Sequence, residues 1–525
     1  MRVQATPSDQ LRLRPSSPRT CRVGALFTAL WLAPIASGAQ QAGMPAAAVI
    51  GSDAEDLHRL AELVGTTPVT NLLLRATSRS VATRADTAPL HFRLMLPDVH
   101  VVAASALPYS PNDGALRAAR GLNTAITAGF VASIGPARLV VAPQFLAEQN
   151  RPYQVIQYPQ NAVPGRSIWA NPFHPLPESI DLPLRFGDQS HQRLDPGQSS
   201  LTLTLGGMEV GAATENLWWG PGIRNALVLS NNAAGFPHLL ARPARPFNTP
   251  LGVIDFDAIL GQLHESEYFD HDGSNDTRSL AGGALSWRPD ERSGLQLGAS
   301  RLRMGGTAGH DQMSSLFGRW AFPTAGFETY FEWARFEDPT SLRDLLEFPN
   351  HAQGYTYGLQ WARPVATHRT FRFQAEVSYL EPSASIRLRP VRTSYTSIAV
   401  PQGFTNRGEV LGAAIGPGSS SQWLAADVFQ PRWHIGTFAG RIRYDDGTLF
   451  GPLVPELRRQ DVTLLLGLRG GANVRGMGIS IEYTDAARLN YLFQGYIDNG
   501  VLGTSKGIDI GNRVLSVTIT PAGRI

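Results

Sequence analysis

Segments of roughly ten residues that alternate strictly between apolar and polar side chains recur from about residue 92 to the end of this 525-residue chain, bounded by Gly, Pro, Asn and Asp. Successive side chains of a strand point to opposite faces, so each segment sorts its residues into two sets. Phe327, Thr329, Phe331 and Trp333 share one face, and Glu328, Tyr330 and Glu332 the other. Phe371, Phe373, Ala375, Val377 and Tyr379 oppose Arg372, Gln374, Glu376 and Ser378. Met477, Ile479, Ile481 and Tyr483 oppose Gly478, Ser480 and Glu482, and Tyr355, Tyr357, Leu359 and Trp361 oppose Thr356, Gly358 and Gln360. A water-soluble sandwich also alternates, so the polarity of the faces has to decide. The second set repeatedly carries Glu, Arg and Gln, as a water-filled lumen would, and the first ends in Tyr and Trp, as an interfacial girdle would. Without helices, only a closed barrel satisfies the backbone in lipid.

Counting strand starts gives seventeen. An even number is needed for both termini to face the same side, which predicts a missed strand between 216 and 249 and about 18 antiparallel strands in all. Candidate short turns fall at 288–292, 323–326, 363–370, 430–432 and 470–474, with mostly longer links between them. A barrel of this size encloses a wide lumen unless something fills it. The segments 150–198 and 216–249 are long, rich in Pro and carry Tyr153, Trp169, Phe173, Trp218, Trp219 and Phe236, unlike solvated loops, so we expect them to fold inward.

The N-terminus reads as an export signal. The apolar run Val23–Ile35 follows several arginines and precedes Ser37-Gly38-Ala39, predicting a signal peptide over 1–39 with cleavage between Ala39 and Gln40. The run is too short for a comfortable transmembrane helix. It also explains the basic balance: residues 1–39 hold five of the 46 basic side chains and one of the 43 acidic ones, leaving 41 and 42 in the remainder. The only lysine is Lys506 and no basic stripe exists, so no nucleic-acid partner is expected. The single Cys21 lies in the leader, which leaves the mature chain without a disulfide framework.

Residues 40–90 read as a small periplasmic helical region ahead of a barrel over 91–525. Ser52-Asp53-Ala54-Glu55 is a capping box. Leu57, Leu60, Ala61 and Val64 follow at helical spacing, and Gly65 supplies a stop. Residues 66–80 offer a second short helix. The region would serve either as a cap packed on the barrel or as a docking surface for a periplasmic partner.

The stretch from Glu215 through Trp218-Trp219-Gly220-Pro221-Gly222 and Arg224-Asn225 to Asn231-Asn232 and His238 resembles the Wzi family of capsule assembly proteins. Matching pieces are Pro108-Tyr109 with Asn112-Asp113-Gly114, the acidic strand end Tyr330–Asp338, Gly403–Gly408, Leu411-Gly412 and Gly416-Pro417-Gly418, together spanning residues 108–418. The resemblance implies an eighteen-stranded outer-membrane barrel with a periplasmic helical portion and a lectin-like role in holding capsular polysaccharide at the cell surface. Ile525 stands where such barrels usually end in an aromatic residue.

Paired indoles suit sugars, because flat apolar faces stack on pyranose C–H groups while Arg224, Asn225, Asn231 and Asn232 can bond hydroxyls. The same residues suit a plug, with Trp218 and Trp219 wedging a loop against the wall and the asparagines bonding its backbone. The two roles can coexist. Expected partners are the polysaccharide and outer-membrane lipid, with a monomeric barrel, no cofactor and no metal. The alternative is a diffusion channel for sugars or other small solutes.

Enzymatic readings fare worse. Gly503-Thr504-Ser505-Lys506-Gly507 has the spacing of a nucleophile elbow, but a strand rather than a helix should follow it. Asp270-His271-Asp272-Gly273-Ser274-Asn275-Asp276 gathers oxygen ligands without the closing Glu of an EF-hand. Twelve histidines form no zinc-type pair. Glu328 and Glu332 could pass for a glycosidase pair but read more simply as lumen wall. No turnover is expected.

Overall fold

The computed structural model describes residues 50–81, 90–157, 165–290, 293–307, 309–383, 385, 388–450, 459–494 and 508–521. The predicted leader and its Ala39–Gln40 cleavage site lie outside these residues, as does the 503–507 elbow.

Among the described residues, eighteen antiparallel strands run up and down around one closed barrel. They are β1 (Leu90–Ala104), β2 (Gly121–Ile134), β3 (Ala137–Val141 and Gln144–Glu148), β4 (His191–Asp195 and Ser200–Leu205), β5 (Met208–Ala213) and β6 (His238–Pro243 and Phe247–Thr249). Next come β7 (Gly252–His264), β8 (Thr277–Arg288), β9 (Leu295–Gly305), β10 (His310–Phe322), β11 (Phe327–Arg335) and β12 (Gln353–Ala366). The circuit ends with β13 (Arg369–Tyr379), β14 (Ser420–Gln430), β15 (Trp433–Arg443), β16 (Val462–Val474), β17 (Met477–Leu489) and β18 (Ile510–Pro521). β18 closes on β1 in the register Val99↔Ile519 to Ala104↔Val514. The strand missing from the seventeen is β6, within the 216–249 window.

The faces fall as the alternation predicts. Phe331, Tyr357, Val377, Ile481 and Tyr483 are exposed on the wall, while Glu328, Tyr330, Glu332, Gln360, Arg372, Gln374 and Glu376 are buried inside it. Short turns at 323–326, 367–368, 431–432 and 475–476 share one end of the barrel, and the links over 149–190, 214–237 and 380–419 lie at the other. One expected turn is displaced. The glycines at 470–471 lie within β16, which runs to Val474, and the hairpin turns at 475–476. A Cβ on Gly471 would stand 2.6 Å from the His434 ring carbon, so that glycine makes room for a neighbouring ring rather than a turn.

Both ends send chain into the lumen. From the short-turn end comes helix α1 (Asp53–Leu63), where the Ser52 hydroxyl accepts the Glu55 N–H and the Glu55 carboxylate accepts the Gly51 N–H. The helix buries His58, Arg59, Leu60, Glu62 and Leu63 and leaves Leu57 exposed. The expected apolar stripe is thus partly replaced by a charged one, because much of what α1 packs against is a polar wall. Arg59 lies 2.6 Å from Glu328, and Arg319 Nη2 bridges Glu328 and Glu62 at 2.7 and 2.8 Å. Arg372 joins Asp56 and Asp427 at 2.8 and 2.9 Å. Residues 66–80 form only a short helix, α2 (Thr77–Val81), preceded by the extended piece Leu74–Ala76.

From the other end come loops 149–190, 214–237 and 380–419. Leu227, Val228, Leu229, Tyr395, Phe404 and Leu411 pack with wall residues such as Leu280, Leu302 and Phe317 in one buried cluster inside the barrel. The polar wall is therefore interrupted by an apolar patch that receives the loops.

Candidate functional site

The segment Leu217–Trp219 runs antiparallel to Leu74–Ala76 in the lumen, pairing Trp218 with Arg75 and Trp219 with Leu74. Neither indole is exposed. Trp219 sits in the apolar cluster and donates its Nε1–H to Asp257 on β7 at 3.3 Å. The Arg75 guanidinium lies over the Trp218 ring, 4.5 Å from its centroid. The turn that follows exploits its glycines. Gly220 takes φ +112°, and a Cβ there would meet the Glu332 carboxylate at 2.7 Å. Arg75 donates to the carbonyls of Gly220 and Gly222, and Arg59 to that of Pro221 at 2.9 Å.

Beyond the turn, the wall captures the loop by its backbone. The Glu376 carboxylate on β13 accepts N–H groups from Ile223, Arg224 and Asn225 at 2.7, 3.1 and 2.9 Å, and the Tyr330 hydroxyl at 2.8 Å. Glu332 on β11 accepts the Leu227 N–H at 3.0 Å. Charge-assisted bonds to a buried carboxylate are among the stronger ones available, so the loop is pinned where it enters the lumen. The wall reading of Glu328 and Glu332 is consistent with these contacts, since Glu328 is occupied by Arg59, Arg319 and Gln360.

The six residues singled out from sequence take different places. Trp219 and Asn225 are buried, and Asn225 Nδ2 lies 3.4 Å from both Glu376 and Ser421. Asn231 donates to the Ile50 carbonyl at 3.1 Å and Asn232 to the Val410 carbonyl at 2.9 Å, tying the loop to the N-terminal segment and to loop 380–419. Trp218 and Arg224 instead line one internal cavity of about 250 Å³. Residues that the sequence did not single out as site members complete it, among them Tyr109, Asn112 and, from β17, Glu482. Tyr109 and Asn112 fall within the family-like pieces and Glu482 on a predicted inward face, but nothing local links the three. Burial pushes the Tyr109 hydroxyl's pKa up, so it keeps its proton as a donor.

Asp270 and Asp272 accept bonds from their own loop, and no group of three or more His, Cys, Asp or Glu placed to hold a metal occurs among the described residues.

The family model for capsule assembly protein Wzi matches residues 112–478. Among solved structures, the Wzi protein of Escherichia coli, described as an outer-membrane protein involved in group 1 capsule assembly and a carbohydrate-binding β-barrel, aligns with a TM-score of 0.56 at 12% identity. The alignment covers 90% of this chain and 99% of that one. OccAB2 of Acinetobacter baumannii aligns with a TM-score of 0.39 at 11% identity over 81% of this chain and 97% of its own. OccK5 of Pseudomonas aeruginosa gives 0.38 at 11% over 82% and 98%. No protein with a curated description matches in sequence. The E. coli likeness is one of fold, whereas the family match spans more than half of the sequence, and on that ground the chain belongs to the Wzi family of capsule assembly proteins.

Proposed function

We propose that this barrel retains capsular or other extracellular polysaccharide at the cell surface during capsule assembly, binding it non-covalently and without turnover. The observation that carries the reading is how the inward loops are fixed. The Tyr395 hydroxyl donates to the Leu227 carbonyl at 2.8 Å and accepts the Ala413 N–H at 2.9 Å, joining loops 214–237 and 380–419 inside the barrel. Loops anchored this way lose little conformational entropy when they hold a polymer, which suits a binding platform better than a conduit. Residues 1–39 direct export, with cleavage between Ala39 and Gln40, and the short-turn end with α1 faces the periplasm. The barrel acts as a monomer in outer-membrane lipid. Trp218 and Arg224 line the lumenal cavity and contribute to polysaccharide binding, while Trp219, Asn225, Asn231 and Asn232 hold the loop in place.

The test is the ratio of cell-bound to released polysaccharide in a deletion strain, with the intact gene or a Trp218→Ala/Trp219→Ala variant restored. Shedding of polymer at unchanged total synthesis supports the proposal, and failure of the double variant to restore retention at normal barrel levels places the indole segment in it. Unchanged attachment in the deletion strain overturns it.

A further inference from the structure

The internal cavity holds hydrogen-bonding capacity that the protein itself leaves unused. Trp218 is 1% exposed, lines the cavity, and its Nε1–H has no acceptor. Asn112 gives its Nδ2–H to the Arg224 carbonyl at 2.8 Å, while its buried Oδ1 has no donor. The Arg224 guanidinium lies over Trp423, 5.3 Å from the ring centroid, and among the described residues it has no ion-pair or hydrogen-bond partner. The Glu482 carboxylate has none either, although both side chains line the same space. A buried polar group left without a partner is costly, and Trp218 Nε1 and Asn112 Oδ1 are two such atoms here.

We infer that this cavity is a subsite for one neutral sugar ring, with the Arg224 guanidinium and Trp218 Nε1–H as donors, Glu482 and Asn112 Oδ1 as acceptors, and the Tyr109 hydroxyl as either. The inference rests on the carbohydrate reading above and deepens it. Three features select the class. A volume of about 250 Å³ lies below the roughly 300–1,000 Å³ of drug-sized pockets, so it suits a single ring rather than a length of polymer. The unused groups divide between donors and acceptors, as vicinal hydroxyls require, since each hydroxyl both donates and accepts. Among the described residues, Arg224 is the one guanidinium of the lining without a carboxylate partner, whereas Asp53, Asp113 and Glu482 all lack a guanidinium, an excess of acid that disfavours a uronate. Sugar hydroxyls would also reproduce the directional bonds of the water they displace.

The experiment uses the full chain purified in detergent and measures glucose, galactose, mannose, N-acetylglucosamine and glucuronate by saturation-transfer NMR and equilibrium dialysis. The expected result is saturable binding of at least one of the four neutral sugars, weakened about tenfold by Glu482→Gln, which loses a charge-assisted bond. Tyr109→Phe serves as a second, milder variant and also weakens binding. Absence of saturable binding to all four neutral sugars, a preference for glucuronate, or equal binding by wild type and both variants overturns the inference. Polymer retention in cells is read separately. If the deletion strain sheds no polymer yet the purified barrel binds sugar and loses it on Glu482→Gln, the surface proposal falls and the subsite stands.

Discussion

Arg319 on β10 places its Nη2 2.8 Å from the carboxylate of Glu62 on α1, and both side chains are shut off from solvent. The contact joins barrel wall to lumenal helix by charge. The same nitrogen lies 2.7 Å from Glu328, so one guanidinium serves two buried carboxylates. Such an arrangement specifies where the helix docks more than it adds stability, because desolvation of the charges offsets much of their attraction.

Arg319→Met should therefore loosen the N-terminal segment, because it leaves Glu62 with His58 and Thr70 but no guanidinium. Breaking one partner of a buried pair costs about 3–5 kcal/mol. Limited proteolysis should cut residues 50–81 faster in the variant than in wild type, with the barrel intact. Adding Glu62→Gln should restore part of the protection, since the uncompensated charge is then removed. Equal cleavage of all three proteins would show that the pair does not hold the helix.

A second prediction concerns Glu376. Three backbone N–H groups and the Tyr330 hydroxyl converge on its two oxygens. Glu376→Gln turns one of those oxygens into a donor facing donors, at a cost of about 1–3 kcal/mol. Amide hydrogen exchange at 223–225 should accelerate in the variant. In planar bilayers the wild-type barrel should show no steady conductance and the variant brief openings. Steady conductance by the wild type would support the diffusion-channel alternative instead.

The wall was legible because lipid leaves a strand only one pattern to follow: an apolar residue outside at every second position, with the lumen free to be polar. That rule located Phe331 against Glu332 and Val377 against Glu376 with no tertiary information. It missed the short, broken β6, and it misplaced a turn where a glycine serves a neighbour, as Gly471 does for His434. The helix was harder. An amphipathic helix normally buries its apolar stripe, but α1 turns Arg59 and Glu62 toward the wall and leaves Leu57 outside, because its binding surface includes buried charge. Its capping box was local and could be read; its buried face depended on Arg319 and Glu328, more than 250 residues away. The cavity was harder still, since Tyr109, Trp218 and Glu482 meet only after the barrel closes.

The lipid face offers a test of orientation. Leu466, in the middle of β16, is 66% exposed on the wall, whereas Arg469, three residues on, points inward and lies 2.7 Å from Asp427. Leu466→Arg should cost about 2–4 kcal/mol if the residue meets the bilayer near its midplane. Folding yield into short-chain phosphatidylcholine vesicles at increasing urea reads this directly. A variant that folds as well as wild type would place Leu466 outside the hydrocarbon.

The loops at the long-link end of the barrel should respond to pH through His174. Its Nε2 lies 2.7 Å from Asp445, linking loop 149–190 to the chain beyond β15. Burial disfavours the charged ring, but the attraction and hydrogen bond of Asp445, with Glu178 nearby, outweigh it, so the pKa is raised above its ordinary 6.5. A histidine raised on folding contributes stability that is fully present below 6.5 and is lost as pH rises through the folded value. Hydrogen exchange around 171–176 and 444–448 should therefore speed up, relative to its intrinsic rate, as pH climbs above 6.5. His174→Gln keeps a donor for Asp445 but does not titrate, so its protection should stay level across the same range. Wild-type protection that is equally level would mean that the folded loop does not raise the ring's pKa.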